Sequence, residues 1–195
     1  MNPFDVHILL WVNGFVGHVR AFDAAMEVVA NDYIVPIMFS LVLMGLWFAG
    51  RNREERFRLQ RIALIGITSF SLVNVAVKVL NIAWYRDRPF VAMPHQIHLL
   101  FYNSTDPSFP SNPVAVAFAA ATAIWLANRK LGAVMYALGA LFGFARMYAG
   151  VFYPTDILGG AALGILTTML VIRIADWIEP IPTLFLRFMR ALSLA

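Results

Sequence analysis

Long apolar runs decide what this chain can become. Residues 33–49, 62–84, 112–127, 131–150 and 155–174 are predominantly apolar, the second of them interrupted by Asn74 and Lys78. A helix needs roughly 20 such residues to cross a bilayer, and helices or closed barrels are the only structures that satisfy their own backbone there. The sequence therefore predicts an all-α, polytopic transmembrane bundle of about five spans, with interfacial helices before and after it. Composition agrees, since 61% of the 195 residues are hydrophobic and 13% are charged, about half the charge of an ordinary soluble domain.

The breaks between runs set the expected topology. Residues 51–61 hold five arginines, and Asn128-Arg129-Lys130 forms a second basic break. The positive-inside rule places both in the cytoplasm, together with the tail 176–195, where Pro180 and Pro182 precede an amphipathic run carrying Arg187 and Arg190. The formal charge of +4 thus sets orientation, and no nucleic-acid partner is expected. Residues 4–16 are apolar but too short to span. Residues 18–30 place His18, Arg20, Asp23 and Glu27 among apolar neighbours, as in a helix on the membrane surface or closing over the bundle; one kinked span is the alternative. The expectation is one membrane domain, 1–195, with an outer segment 1–30, a bundle 31–175 and a cytoplasmic-face tail. No cleavable signal is read at the start. With no cysteine, thiolate metal sites are excluded, and no metal or cofactor is expected. Gly139 with Gly143, and Gly160 with Gly164, have the spacing that lets helices approach closely, which predicts that the last two spans pack together.

Three polar islands fall at the expected outer ends. Arg88 follows Arg86 and Asp87, with Lys78 about three turns deeper; guanidiniums beside a membrane suit phosphate oxygens, or act as snorkelling anchors. Ser111-Asn112-Pro113 reads as a helix start, with a cap and a proline in the first turn, and free N–H groups there bind anions. Arg146 and Asp156 flank the turn between the last two spans, and an internal Arg146–Asp156 pair is the structural reading. His95 and His98 lie in the outer loop, three apart, too few for a metal by themselves.

Together Arg88-Pro89-Phe90, Ser108-Phe109-Pro110-Ser111, and Arg146 with Gly150, Tyr153-Pro154 and Asp156 resemble the three ordered signatures of the type-2 phosphatidic acid phosphatase superfamily. The text over residues 30–175 is most similar to its bacterial undecaprenyl-diphosphate phosphatase branch. That resemblance implies a helical bundle in a bacterial inner membrane, with a phosphate site at its outer mouth that carries over Arg88, Ser111, Arg146 and Asp156, and Lys78 in place of the signature lysine, whose position holds Asn81; the helix start adds Asn112 as a candidate phosphate-binding residue. It also implies two departures. The histidine that protonates the leaving group corresponds to Pro113, and the histidine that attacks phosphorus corresponds to Phe152; the serine before Arg146 is Ala145, and Asp156 has no histidine to orient.

Phenylalanine offers no lone pair for a covalent route, and proline has no proton for acid catalysis. The expectation is a catalytically degenerate family member that binds a lipid phosphate such as a polyprenyl phosphate, or serves as a structural subunit beside other membrane proteins. The alternative is an active undecaprenyl-diphosphate or other lipid-phosphate phosphatase using rearranged residues.

Overall fold

The computed structural model describes residues 2–100 and 104–191, and every regular element among them is a helix. In order these are α1 (Pro3–Asn13), α2 (Arg20–Ala30), α3 (Ile34–Phe48), α4 (Arg53–Ala83), the single turn α5 (Pro89–Ala92), α6 (Asn112–Ala127), α7 (Arg129–Tyr148), α8 (Pro154–Trp177) and α9 (Ile181–Ala191). Asparagines start several of them. The Asn52 side chain accepts from Glu55 N at 2.8 Å and that of Asn128 from Leu131 N at 3.0 Å, satisfying amides that have no partner within the helix.

Among the described residues three helices, α4, α7 and α8, are long and apolar enough to cross a membrane. A fourth span exists if α2 and α3, bent by 49° at their break, are counted as one. The five runs of the sequence therefore become three or four candidate spans. One reason is α6, whose 16 residues rise only about 24 Å, short of a hydrocarbon core of roughly 30 Å. It sits in the middle of the bundle, against α3, α4, α7 and α8, with Ala115, Ala119, Ala120 and Ala123 fully buried.

Small side chains explain that position. Gly160 and Gly164 face α6: a Cβ on either would lie 2.5 Å from the Ser111 carbonyl oxygen or 2.2 Å from that of Ala115. Gly139 meets Phe118 of α6, and only Gly143 meets α8, through Ile157. The glycine spacing thus serves mainly the central helix rather than a direct α7–α8 seam, because α6 presents alanines that let the backbones touch. Thr168 Oγ1 reinforces the α6–α8 contact by donating to the Ala119 carbonyl at 3.1 Å.

The N-terminal helices close over one end of the bundle. Leu9 and Val12 of α1 and Met26 and Ala30 of α2 share a core with Tyr148, Phe152 and Tyr153. Asn13 fastens this cap, donating to the carbonyls of His98 (2.9 Å) and Tyr148 (2.8 Å) and accepting from His98 N at 2.8 Å. Gly150 has φ +77°, and a Cβ there would lie 2.5 Å from Ile97, so both backbone sign and space call for glycine. At the opposite, basic end Arg61 pairs with Asp176 at 2.7 Å, joining the start of α4 to the end of α8. α9 returns against α4 and buries Leu186; the side chains of Arg187 and Arg190 lie outside the described residues.

Candidate functional site: an arginine-lined pocket

The polar islands meet at the capped end, and Arg86 holds them together. Its Nη2 donates to Asp5 Oδ2 at 2.7 Å and its Nη1 to Asp156 Oδ1 at 2.7 Å and Thr155 Oγ1 at 2.8 Å. The guanidinium also lies 4.0 Å from the Tyr153 ring centre. Asp156 is thus the partner of Arg86 and not of Arg146, which corrects the pairing expected from the sequence. Asp156 Oδ2 accepts from Tyr153 N at 2.9 Å, closing the first turn of α8, and its carbonyl accepts from Ser111 N at 3.0 Å. One residue therefore ties the starts of α6 and α8 and neutralises a guanidinium. Burial pushes the Asp5 carboxyl up, but the Thr155 hydroxyl, Arg86 and the Thr155 amide outweigh it and hold the group below its ordinary value of 3.8.

Beside this junction is a pocket of about 260 Å³ lined by Asp32, Pro36, Phe70, Asn74, Arg88, Ser104, Asp106, Asn112, Pro113, Val116, Arg146 and Phe152. Of the residues singled out in the sequence, Arg88, Asn112, Pro113, Arg146 and Phe152 come together here. Ser111 is fully buried just behind, as the N-cap of α6, with its hydroxyl unpartnered. Lys78 does not join them. It is exposed on α4, where an ammonium avoids desolvation, and the α4 residue in the pocket is Asn74. Asp156 also stays outside the lining, spent on Arg86. His95 and His98 line neither this pocket nor the neighbouring one. Asp32, Asp106, Asn74, Arg86 and Asp5 carry the local electrostatics without a signature to announce them, because only the fold brings them to the islands.

Charge is balanced inside the pocket. Arg88 is 4% exposed; its Nε donates to the Asp106 carbonyl at 2.9 Å and its Nη2 to Asp106 Oδ2 at 2.8 Å, while Nη1 is buried without a partner. The guanidinium lies 4.4 Å from the Phe152 ring centre. Arg146 pairs with Asp32 and lies 5.0 Å from the Phe142 ring centre. Asn112 donates to Asn74 Oδ1 at 3.0 Å, and its own Oδ1 is buried and unpartnered. A second cavity of about 640 Å³ adjoins, sharing Arg88, Ser104 and Asp106. Two guanidiniums and the first turn of α6 thus line one small space. Neither Phe152 nor Pro113 on its wall can donate a proton or an electron pair. Among the described residues no group of three or more His, Cys, Asp and Glu is placed to hold a metal.

A family model for the PAP2 superfamily matches residues 61–179, more than half of the chain. The protein belongs to the PAP2 superfamily. It is similar to undecaprenyl-diphosphatase BcrC of Bacillus subtilis, with 30% identity over 181 residues, 93% of this chain and 89% of that one. Among solved structures it is similar to Aquifex aeolicus LpxE, with a TM-score of 0.69 and 24% identity, covering 86% of this chain and 94% of that one. It also resembles a transmembrane PAP2-type phosphatidylglycerolphosphate phosphatase of Bacillus subtilis, at TM-score 0.54 and 19% identity, over 90% and 96% of the two chains. The bundle is accordingly a PAP2-like helical membrane fold, and the chain is a homologue of membrane lipid phosphatases.

Proposed function

We propose that this PAP2 protein binds the phosphate headgroup of a membrane lipid, a polyprenyl phosphate or diphosphate first among them, between Arg88, Arg146 and the start of α6, without a phosphohistidine step. The observation that carries this reading is the buried, unpartnered Nη1 of Arg88 in a pocket that also holds Arg146, Asn112, Phe152 and Pro113. A buried guanidinium N–H without an acceptor is costly, and a phosphate oxygen removes that cost.

The shape beside the pocket supports a lipid rather than a soluble phosphate. Phe70 lines both the pocket and a groove of about 460 Å³ between α3 and α4. The rest of that groove is Leu43, Met44, Trp47, Phe48 and Ile67, with Ser40 and Ser71. The two serine hydroxyls donate to their own helices, to Pro36 O at 2.9 Å and Ile67 O at 3.2 Å, so they make no polar demand on an apolar tail. The islands then face the outer side of the inner membrane, and the basic breaks the cytoplasm.

Hydrolysis is the second reading, and the likeness to an undecaprenyl-diphosphatase over 93% of the chain favours it. It requires an acceptor or general base other than the two signature histidines. The test is release of inorganic phosphate from undecaprenyl diphosphate by the purified protein, alongside direct binding of the same lipid. Binding with no release, and release gained by a Pro113→His, Phe152→His double variant, is the expected result. Turnover by the unaltered chain establishes the second reading, and loss of binding in neither Arg88→Ala nor Arg146→Ala sinks both.

A further inference from the structure

We infer that the pocket selects a lipid phosphate in its singly protonated form, the P–OH donating to Asn112 Oδ1 while an unprotonated oxygen accepts from Arg88. This rests on the lipid-phosphate reading above and names the ionic state that the site accepts. The starting point is the direction of one side-chain amide.

Three residues fix that direction in turn. A backbone carbonyl only accepts, so the Phe70 carbonyl makes the Asn74 amide donate to it, from Nδ2 at 2.7 Å. Asn74 Oδ1 is left to accept, and Asn112 Nδ2 donates to it at 3.0 Å. Turning the Asn112 amide over would set two carbonyl oxygens against each other. Its Oδ1 is consequently the atom left over, buried and without a donor, on a residue that lines the pocket. Arg88 Nη1 is the converse, a buried donor without an acceptor. Either is costly while unmet. A ligand that meets both must accept at one atom and donate at another. The fully ionised phosphate monoester has only acceptor oxygens, so it serves Arg88 and sets lone pairs against Asn112 Oδ1. The singly protonated form serves both, and Asn112 discriminates by repulsion as much as by attraction.

Charge favours the same form. Among the described residues, the charged groups on the wall are Asp32 before α3, Arg88 before α5, Asp106 in the loop before α6, and Arg146 on α7; α4 and α6 contribute none. Arg88 pairs with Asp106 at 2.8 Å, and Arg146 pairs with Asp32, so the four balance. A second negative charge on the ligand meets no uncompensated cation there, and excess charge in a desolvated space is expensive. Phosphate monoesters lose their second proton near about pH 6. Affinity should therefore be level below the ligand's second ionisation, and above it should fall about 10-fold per pH unit with the singly protonated fraction.

The test uses the full chain in detergent with two short prenyl ligands, a phosphonate and the matching sulfonate, neither of which can be hydrolysed at its head. The sulfonate is a singly charged anion with no proton to donate. Dissociation constants are measured by calorimetry from one pH unit below the phosphonate's second ionisation to two units above it, that ionisation being read by phosphorus NMR on the free ligand. At the acid end the phosphonate should bind about 10-fold tighter than the sulfonate, the effect of one good hydrogen bond. Its affinity should fall by at least about 10-fold across the range. The sulfonate should stay level, and any slope it shows reports titration of the protein itself. Asn112→Ala should bring the two ligands level at the acid end. Asn74→Ala frees the Asn112 amide to turn and donate, and should move the preference toward the sulfonate while binding persists; thermal unfolding is recorded for both variants. The comparison of ligands on the unaltered chain decides even where a variant fails to fold. Equal affinity for the two ligands, a phosphonate affinity that holds or rises with pH, or an acid-end preference undiminished in Asn112→Ala overturns the inference and leaves the lipid-phosphate reading standing. Phosphonate binding that neither Arg88→Ala nor Arg146→Ala weakens removes that reading as well.

Discussion

Arg86 Nη1 and Asp156 Oδ1 lie 2.7 Å apart at the point where the loop after α4 meets the start of α8. Asp156 is completely buried and Arg86 is 22% exposed, and the same guanidinium reaches Asp5. Removing it leaves two buried carboxylates without a counter-charge. Arg86→Ala is expected to destabilise the protein by about 3–5 kcal/mol, the usual cost of breaking a buried pair from one side. Thermal unfolding in detergent measures it, and the double variant with Asp156→Asn should lose less than the two single losses combined.

Acid should loosen α1 first. The folded-state carboxyl of Asp5 titrates below its ordinary 3.8, so its contribution to stability is fully present above about pH 4 and is lost as pH falls through the folded value. Hydrogen exchange of the α1 amides should accelerate in that range while the centre of α6 stays protected. In Asp5→Asn the same acid step should flatten; an unchanged step would place its origin in another group.

Gly164 marks where the bundle has no slack. Its missing Cβ would lie 2.2 Å from the Ala115 carbonyl oxygen and 2.8 Å from Ala119 N, both backbone atoms that cannot rotate away. Gly164→Ala should cost at least the roughly 1–3 kcal/mol of ordinary overpacking, whereas Gly45→Ala, with nothing within 4 Å of its Cβ, should be neutral or slightly stabilising through helix propensity. Denaturation midpoints of the two variants decide this.

Ser71 separates tail from headgroup. Ser71→Trp fills the α3–α4 groove without touching the arginines, so a long-chain polyprenyl phosphate should bind about 10-fold or more weakly, a loss of roughly 1.4 kcal/mol, while a short prenyl phosphate binds as before. Lys78→Ala should change neither, because Lys78 is exposed and outside the pocket lining. Equal weakening of both ligands by Ser71→Trp would mean that the groove is not the seat of the tail.

Much of the fold is legible in the order of residues. Apolar runs require helices in a membrane, asparagines and prolines mark where several start, and of the candidate phosphate-site residues Arg88, Asn112 and Arg146 line one pocket while Lys78 and Ser111 do not. These inferences depend on local chemistry: hydropathy, capping and motif spacing act over a few turns. What the tertiary structure alone decided is which charges face which. Arg146 pairs with Asp32, Arg88 with Asp106 and Arg86 with Asp5 and Asp156, pairs separated by 18 to 114 residues and formed from segments with no common motif. Ion pairs and central packing are set by where helices cross, and a crossing such as α6 against Gly160 and Gly164 depends on the shapes of two surfaces at once, which no single stretch of sequence contains.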